Sequence, residues 1–240
     1  MRLAIISDIH ANREALDTVL ASIENQSVDK IICLGDLVDY GVEPSYCIEK
    51  VRRIANVILY GNHDEAAATE ISLHWFNKDA RKSALWTREK LSDEEKEYLK
   101  TLELSHIEDG CLFVHSTPDP QDDWYYITNW FDAAEQFDNF DQSICFVGHS
   151  HVPGFYSLSN NQNEYREGKI PLQVNDKIII NVGSVGQPRD RDPRACYVIS
   201  DHEHSTVEFI RVPYDVEKTA NKISSEGVSY FHARRILLGI

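Results

Sequence analysis

Short apolar runs recur along this chain, and most of them end in a residue type that binds metal. Residues 3–6, 31–34, 57–60, 111–114, 144–147, 178–180, 197–199 and 207–212 are rich in Ile and Val. Runs of that length, bounded by turn residues, form strands covered on both faces. The first is followed by Asp8-Ile9-His10, the second by Gly35-Asp36 and the third by Gly61-Asn62-His63-Asp64. The fourth leads into His115, the fifth into Gly148-His149-Ser150-His151 and the sixth into Asn181-Val182-Gly183-Ser184. Strands of one α/β sheet bring their carboxyl ends to a common edge, where ligand crevices form. Asp8, His10, Asp36, Asn62, His115, His149 and His151 are therefore expected at one rim.

Oxygen and imidazole nitrogen without thiolate suit manganese, iron, zinc or nickel. Seven such groups exceed what one ion takes, and a carboxylate can bridge, so two ions roughly 3.5–4 Å apart are expected. The glycines before Asp36, Asn62 and His149 would let the backbone turn sharply toward the ions. A lone DxH or GD means little. The signal is their ordered recurrence after five successive strand-like runs.

Helix signals lie between the early runs. Asn12 can cap a helix with Ala15, Leu16, Val19, Leu20 and Ile23 on one face. Ser92-Asp93-Glu94-Glu95 is a capping box, and the helix before it, over 78–90, carries an apolar stripe through Ala84, Leu85 and Trp86. A shorter amphipathic helix is expected over 132–140. The pattern alternates β and α, then turns mostly β after residue 143, which predicts a layered α/β domain with mixed sheets packed face to face. No repeat or linker divides the chain, so one domain over 1–240 is expected, its tail from 215 helical and packed across the sheet.

The formal net charge of −15 argues against a nucleic-acid backbone or an anionic membrane as the main partner. A small phosphorylated substrate stays compatible, because bound metal reverses the local sign. Five cysteines form no CxxC pair, and four sit in apolar runs, which fits a reducing compartment. The four apolar residues after Arg2 are too few for a signal-peptide core, and no stretch reaches membrane length. A cytoplasmic location follows as the expectation, with a homo-oligomer left open.

DxH, GD, GNHD, a later His and GHxH, in this order from Asp8 onward, resemble the calcineurin-like metallophosphoesterase superfamily. The stretch NVGSVGQPRDRDPR over 181–194, with PYDVEKTANKI and ARRILLG near the end, is similar to its bacterial and archaeal branch related to small phosphodiesterases and diadenosine tetraphosphatases. The resemblance implies a four-layer α/β/β/α sandwich of two mixed sheets flanked by helices, with a binuclear metal centre at the sheet edge. It assigns Asp8, His10 and His151 to one ion and Asn62, His115 and His149 to the other, with Asp36 bridging. It also implies two divalent ions, manganese foremost and iron, zinc or nickel as other candidates. Two positions depart from relatives: Tyr40 stands where protein Ser/Thr phosphatases carry a phosphate-contacting arginine, and Ser116 where glycine commonly follows the histidine.

The chemistry so implied is phosphoester hydrolysis by in-line attack of a metal-bridging hydroxide. His63 is placed to face the leaving oxygen as proton donor, oriented by Asp39 or Asp64. Asn62, Arg189 and Arg191 are the candidate substrate contacts, whereas Arg194 reads better as a loop-fixing ion pair. The aromatic segment 124–130 either stacks a base over the site or packs a cap onto the domain, the second being favoured. A phosphodiesterase acting on small nucleotide-like phosphodiesters is the leading expectation. The alternatives are a dinucleoside polyphosphate hydrolase, a phosphomonoesterase or protein phosphatase, and a non-catalytic scaffold.

Overall fold

The computed structural model describes residues 1–240 except 75, 161, 165, 166 and 174, and the backbone alone for 162–164. Every expected apolar run lies in or overlaps a strand. One sheet holds β1 (Arg2–Ile6), β2 (Lys30–Cys33), β3 (Val57–Ile58), β9 (Gly168–Pro171), β11 (Ala195–Asp201) and β12 (Thr206–Val212), in the order β3-β2-β1-β11-β12-β9. The other holds β4 (Ser105–Glu108), β5 (Cys111–Val114), β6 (Ile144–Val147), β7 (Gly154–Ser157), β8 (Gln162–Glu164) and β10 (Ile178–Asn181), in the order β4-β5-β6-β10-β7-β8. Both sheets are mixed: β1, β2 and β3 run parallel, as do β5, β6 and β10, with antiparallel strands beside them.

Side-chain alternation along β1 shows why two layers form. Leu3 and Ile5 point into the space between the sheets with Phe113, Phe146, Ile180 and Phe209, while Ala4 and Ile6 point outward under the helices. The outward face is covered by α1 (Arg13–Glu24) and α2 (Pro44–Ile54). Asn12 Oδ1 accepts from the Ala15 N–H at 3.1 Å, so the cap read from sequence starts α1 where expected. On the far face of the second sheet, Ile127, Ala133, Phe137 and Phe140 form a further cluster around α6 (Trp130–Gln136) and the short 3₁₀ turn after it. The result is the helix–sheet–sheet–helix layering expected.

Three local expectations need correction. In α4 (Lys78–Lys90) the buried stripe runs through Ala80, Ser83, Ala84 and Thr87, and Leu85 is exposed. The tail forms α7 (Val216–Ser225) and α8 (Tyr230–Leu238), which pack on each other, with α7 beside α1, and enclose a small cluster with Val42 and Trp86 instead of spreading over the sheet. Strands β4, β7, β8 and β9 were not legible as apolar runs. Three of them lie at sheet edges, where pairing with a neighbour supplies the register. No helix among the described residues is long and apolar enough to cross a membrane.

Candidate metal centre

Loops leaving β1, β2, β5, β6 and β10 are stitched together by backbone hydrogen bonds. Asp8 N–H donates to Gly35 O, Gly148 N–H to His115 O and Gly186 N–H to Asp8 O. The seven expected metal-binding residues meet there, all buried. Asp8, His10, Asp36 and His151 form one group of facing donor atoms; Asp36, His115 and His149 form a second. Asp36 belongs to both. Its Oδ2 lies 3.6 Å from His10 Nε2 and 3.3 Å from His115 Nε2. In the first group His151 Nε2 stands 3.3 Å from Asp8 Oδ1 and 3.1 Å from His10 Nε2. Atoms that share one ion at about 2.0–2.2 Å are separated by spacings of this kind.

Hydrogen bonding prepares each donor for a cation. His10 Nδ1–H donates to Val38 O at 3.1 Å, His115 Nδ1–H to Leu34 O at 3.1 Å and His151 Nδ1–H to Gln187 O at 2.6 Å. His149 uses its other nitrogen, Nε2–H, toward Trp124 O at 2.9 Å. A carbonyl only accepts, so each ring is held in one tautomer with its remaining lone pair turned inward. Each carboxylate is likewise pinned by one oxygen: Asp8 Oδ2 accepts the His149 N–H and Asp36 Oδ1 the His63 N–H. Their other oxygens, with Asn62 Oδ1 and His115 Nε2, are buried and lack a hydrogen-bond partner among the described residues. A polar atom in that position is costly unless a cation completes it. The donor set thus fits two divalent ions.

Electrostatics agree. Burial and the neighbouring His115 bring His149 down to about 3, and burial with the Arg189 charge brings His151 down to about 4, so both offer neutral rings. Burial would lower His115 too, but the Asp36 and Asp8 carboxylates outweigh it and lift it to about 9. Asp36 and His115 would hold a cation in place of that proton.

Asp8, His10, Asp36, His149 and His151 all have left-handed backbone, with φ between 49° and 64°. Non-glycine residues in this region are strained by about 1–3 kcal/mol where sterics are worst, and such strain clusters at functional sites. The glycines beside them serve two purposes. Gly35 has φ +111° and needs its freedom, as read from sequence. Gly61 is needed for space instead, because a Cβ there would lie 2.2 Å from Asp36 Oδ1. Gly61→Ala is expected to displace that carboxylate and weaken metal binding by about 10–100-fold, as read by titration with manganese. Unchanged affinity would show that Asp36 tolerates the push.

His63 lies next to this cluster. Its Nδ1–H donates to Asp39 Oδ2 at 2.6 Å, and Nε2 lies 2.9 Å from the Tyr40 hydroxyl. Asp64, the other expected orienting group, turns away: its carboxylate accepts the backbone N–H groups of Asp36 and Leu37 at 2.8 Å and ties the β2 loop to the start of α3 (Asn62–Ala68). Asp64 is a loop clasp, and Asp39 holds the imidazole. Arg189 is held by Gln187 Oε1 and lies over the Tyr40 ring at 5.7 Å, at the site. Arg191 does not join it; the residue is exposed and its backbone N–H donates to Gly239 O at 2.6 Å. Arg194 pairs with Asp192 and Glu167, the structural role expected.

Two contributors were not read from sequence. Tyr40 fills the place of the missing arginine and bonds His63. Arg235, on α8, bonds Ile240 O and lies within electrostatic range of Arg189, Tyr40 and Tyr126; burial and the Arg189 charge bring it down to about 10. Its only local signal was a helical tail, because packing of α8 against Tyr40 through His232 is a long-range contact.

Residues 1–205 match the calcineurin-like phosphoesterase superfamily domain. An uncharacterised protein of Methanocaldococcus jannaschii is 38% identical over 242 aligned positions, spanning 99% of this chain and 98% of that one. The crystal structure of a metallophosphoesterase from Sphaerobacter thermophilus superposes with a TM-score of 0.90 at 39% identity, over 100% of this chain and 99% of that one. A hypothetical protein of Pyrococcus horikoshii OT3 shares the fold, with a TM-score of 0.81 at 19% identity over 100% and 98%. Family match, sandwich architecture and paired donor groups agree, and the chain belongs to the calcineurin-like phosphoesterase superfamily.

Proposed function

We propose that this phosphoesterase hydrolyses small, nucleotide-like phosphodiesters with two divalent ions. Asp8, His10, Asp36 and His151 would hold one, and Asp36, Asn62, His115 and His149 the other. The observation that carries the reading is Asp36 Oδ2, faced by donors from both groups beside a carboxylate-held imidazole. When bound, such ions neutralise phosphoryl oxygens and bring the pKa of water to near 7.

The chain's own residues supply the rest. Burial opposes protonation of His63, but the Asp36 charge and the Asp39 hydrogen bond outweigh it and raise the pKa of the ring. Its Nε2 is the atom that can pass a proton to the departing oxygen, with Tyr40 OH holding it in line beforehand. Arg189 offers a forked guanidinium for a non-bridging phosphate oxygen. A cysteine nucleophile is disfavoured, since all five are buried and burial pushes the Cys111 and Cys196 thiols up to about 12. Tyr40 in place of an arginine counts against a protein phosphatase.

One observation favours a second reading. The Arg235 charge lies within electrostatic range of Arg189 in an otherwise acidic protein, and a second phosphate would need two such cations. A dinucleoside polyphosphate would present one. Bis(p-nitrophenyl) phosphate and diadenosine tetraphosphate compared by kcat/KM with manganese decide between them. We expect the diester to lead by at least about tenfold, a difference of 1.36 kcal/mol in barrier. The reverse order transfers the assignment to the second reading, and no hydrolysis with manganese, iron, zinc or nickel refutes both.

A further inference from the structure

We propose that the cavity beside Asn62 and His149 is a nucleobase subsite, walled by Phe76, Trp124 and Tyr126 and lined by the carboxylates of Glu65 and Asp123. The cavity has a volume of about 290 Å³ and also borders Leu73. That is near the lower end of small-ligand pockets, which run from ~300 to 1,000 Å³. The size suits one flat ring system without a phosphate chain.

Its walls are built from the same rings that support the metal-type donors. Phe76 stacks on His63 with centroids 5.1 Å apart and planes 5° off parallel. Tyr126 stacks on His149 at 4.0 Å and 17°. Trp124 meets His115 edge-on at 5.9 Å, and its backbone carbonyl holds His149. A ring entering the cavity therefore lies next to the candidate metal centre, since His149 both lines the cavity and belongs to the second donor group. Tyr126 and Ile71 are half exposed, so the mouth is open.

Charge selects the occupant. Among the described residues no lysine or arginine lines the cavity, whereas Glu65 and Asp123 do. A second phosphate would be repelled. A neutral aromatic ring bearing N–H donors would be accepted, stacked on indole and phenol and bonded at its edge. Glu65 is set for that edge, because Trp124 Nε1–H donates to its Oε2 at 3.1 Å and fixes the carboxylate. The aromatic segment does both things the sequence allowed: Trp124 and Tyr126 face the cavity, while Ile127 and Trp130 pack the cap.

This inference rests on the phosphodiesterase reading only for the position of the phosphate. The test compares the p-nitrophenyl ester of AMP with that of ribose 5-phosphate, which share a leaving group and a sugar and differ in the base. The native chain should prefer the AMP ester at least tenfold in kcat/KM, and Trp124→Leu and Tyr126→Leu should each bring that ratio toward one. A ratio taken within one protein cancels any general loss of activity. No preference in the native chain, or a preference intact in both variants, overturns the subsite. Equilibrium dialysis of the purified protein against adenosine gives a readout free of turnover. Retention by the native chain and at least tenfold weaker retention by the variants supports the proposal; no retention refutes it even if both esters are cleaved. Retention without cleavage of either ester keeps the subsite and sinks the phosphodiesterase.

Discussion

Asp36→Asn is expected to yield a folded protein with about 10³-fold lower turnover that no longer retains two metal ions per chain. The side chain is isosteric, so Asn Oδ1 can still accept the His63 N–H that Asp36 Oδ1 accepts at 2.9 Å. The lost element is the negative charge on the atom facing both His10 and His115. A shared anionic ligand offsets the repulsion between two cations, and an amide oxygen does so poorly. Charge stabilisation of this kind contributes several kcal/mol, and about 4 kcal/mol corresponds to three decades of rate. Metal content measured by elemental analysis beside kcat checks the cause. A variant with two ions per chain and near-native kcat would remove Asp36 from the bridging position.

His63→Ala is expected to keep both ions and lose about 10²–10⁴-fold in rate, the usual contribution of a proton donor. The loss should be largest for esters whose leaving alcohol is a strong base, because p-nitrophenolate departs readily without a proton. A pH profile separates donation from packing. The His63 pKa is raised above its ordinary value, so the imidazolium is present below that value and vanishes as pH climbs through it. Native kcat/KM should therefore fall on the alkaline side, and the variant should lack that limb. An equal loss for good and poor leaving groups, with the alkaline limb retained, would make His63 a packing residue. Asp39→Asn should move the limb to lower pH, since its hydrogen bond helps to hold the proton.

The legible part of this protein was local. Strands β1, β2, β5, β6, β10, β11 and β12 announce themselves because each contains a run of buried or partly buried apolar residues, as at 3–6, 111–114 and 178–180. The residues that end them follow in sequence, so the donor set could be collected from the text. The edge strands were hidden, since a peptide such as Ser105-His106-Ile107-Glu108 becomes a strand only when β5 lies beside it. Asp39, three residues after Asp36, and Asp64, one residue after His63, look equivalent in sequence as orienting groups. They diverge because Asp64, at the start of α3, faces the free N–H groups of the β2 loop, while Asp39, at φ +73°, is turned toward His63.

Composition and order alone determined which side chains could ligate and which strands present them, because ligand chemistry depends on residue type and a strand's end is marked in the chain. Tertiary structure decided that Asp36 Oδ2 faces both groups, that Gly61 makes room for Asp36, that Tyr40 bonds His63, and that Phe76 and Trp124 enclose a cavity. These relations join residues distant in the chain, and their distances come from the packing of two sheets and the helices around them, which no local pattern encodes.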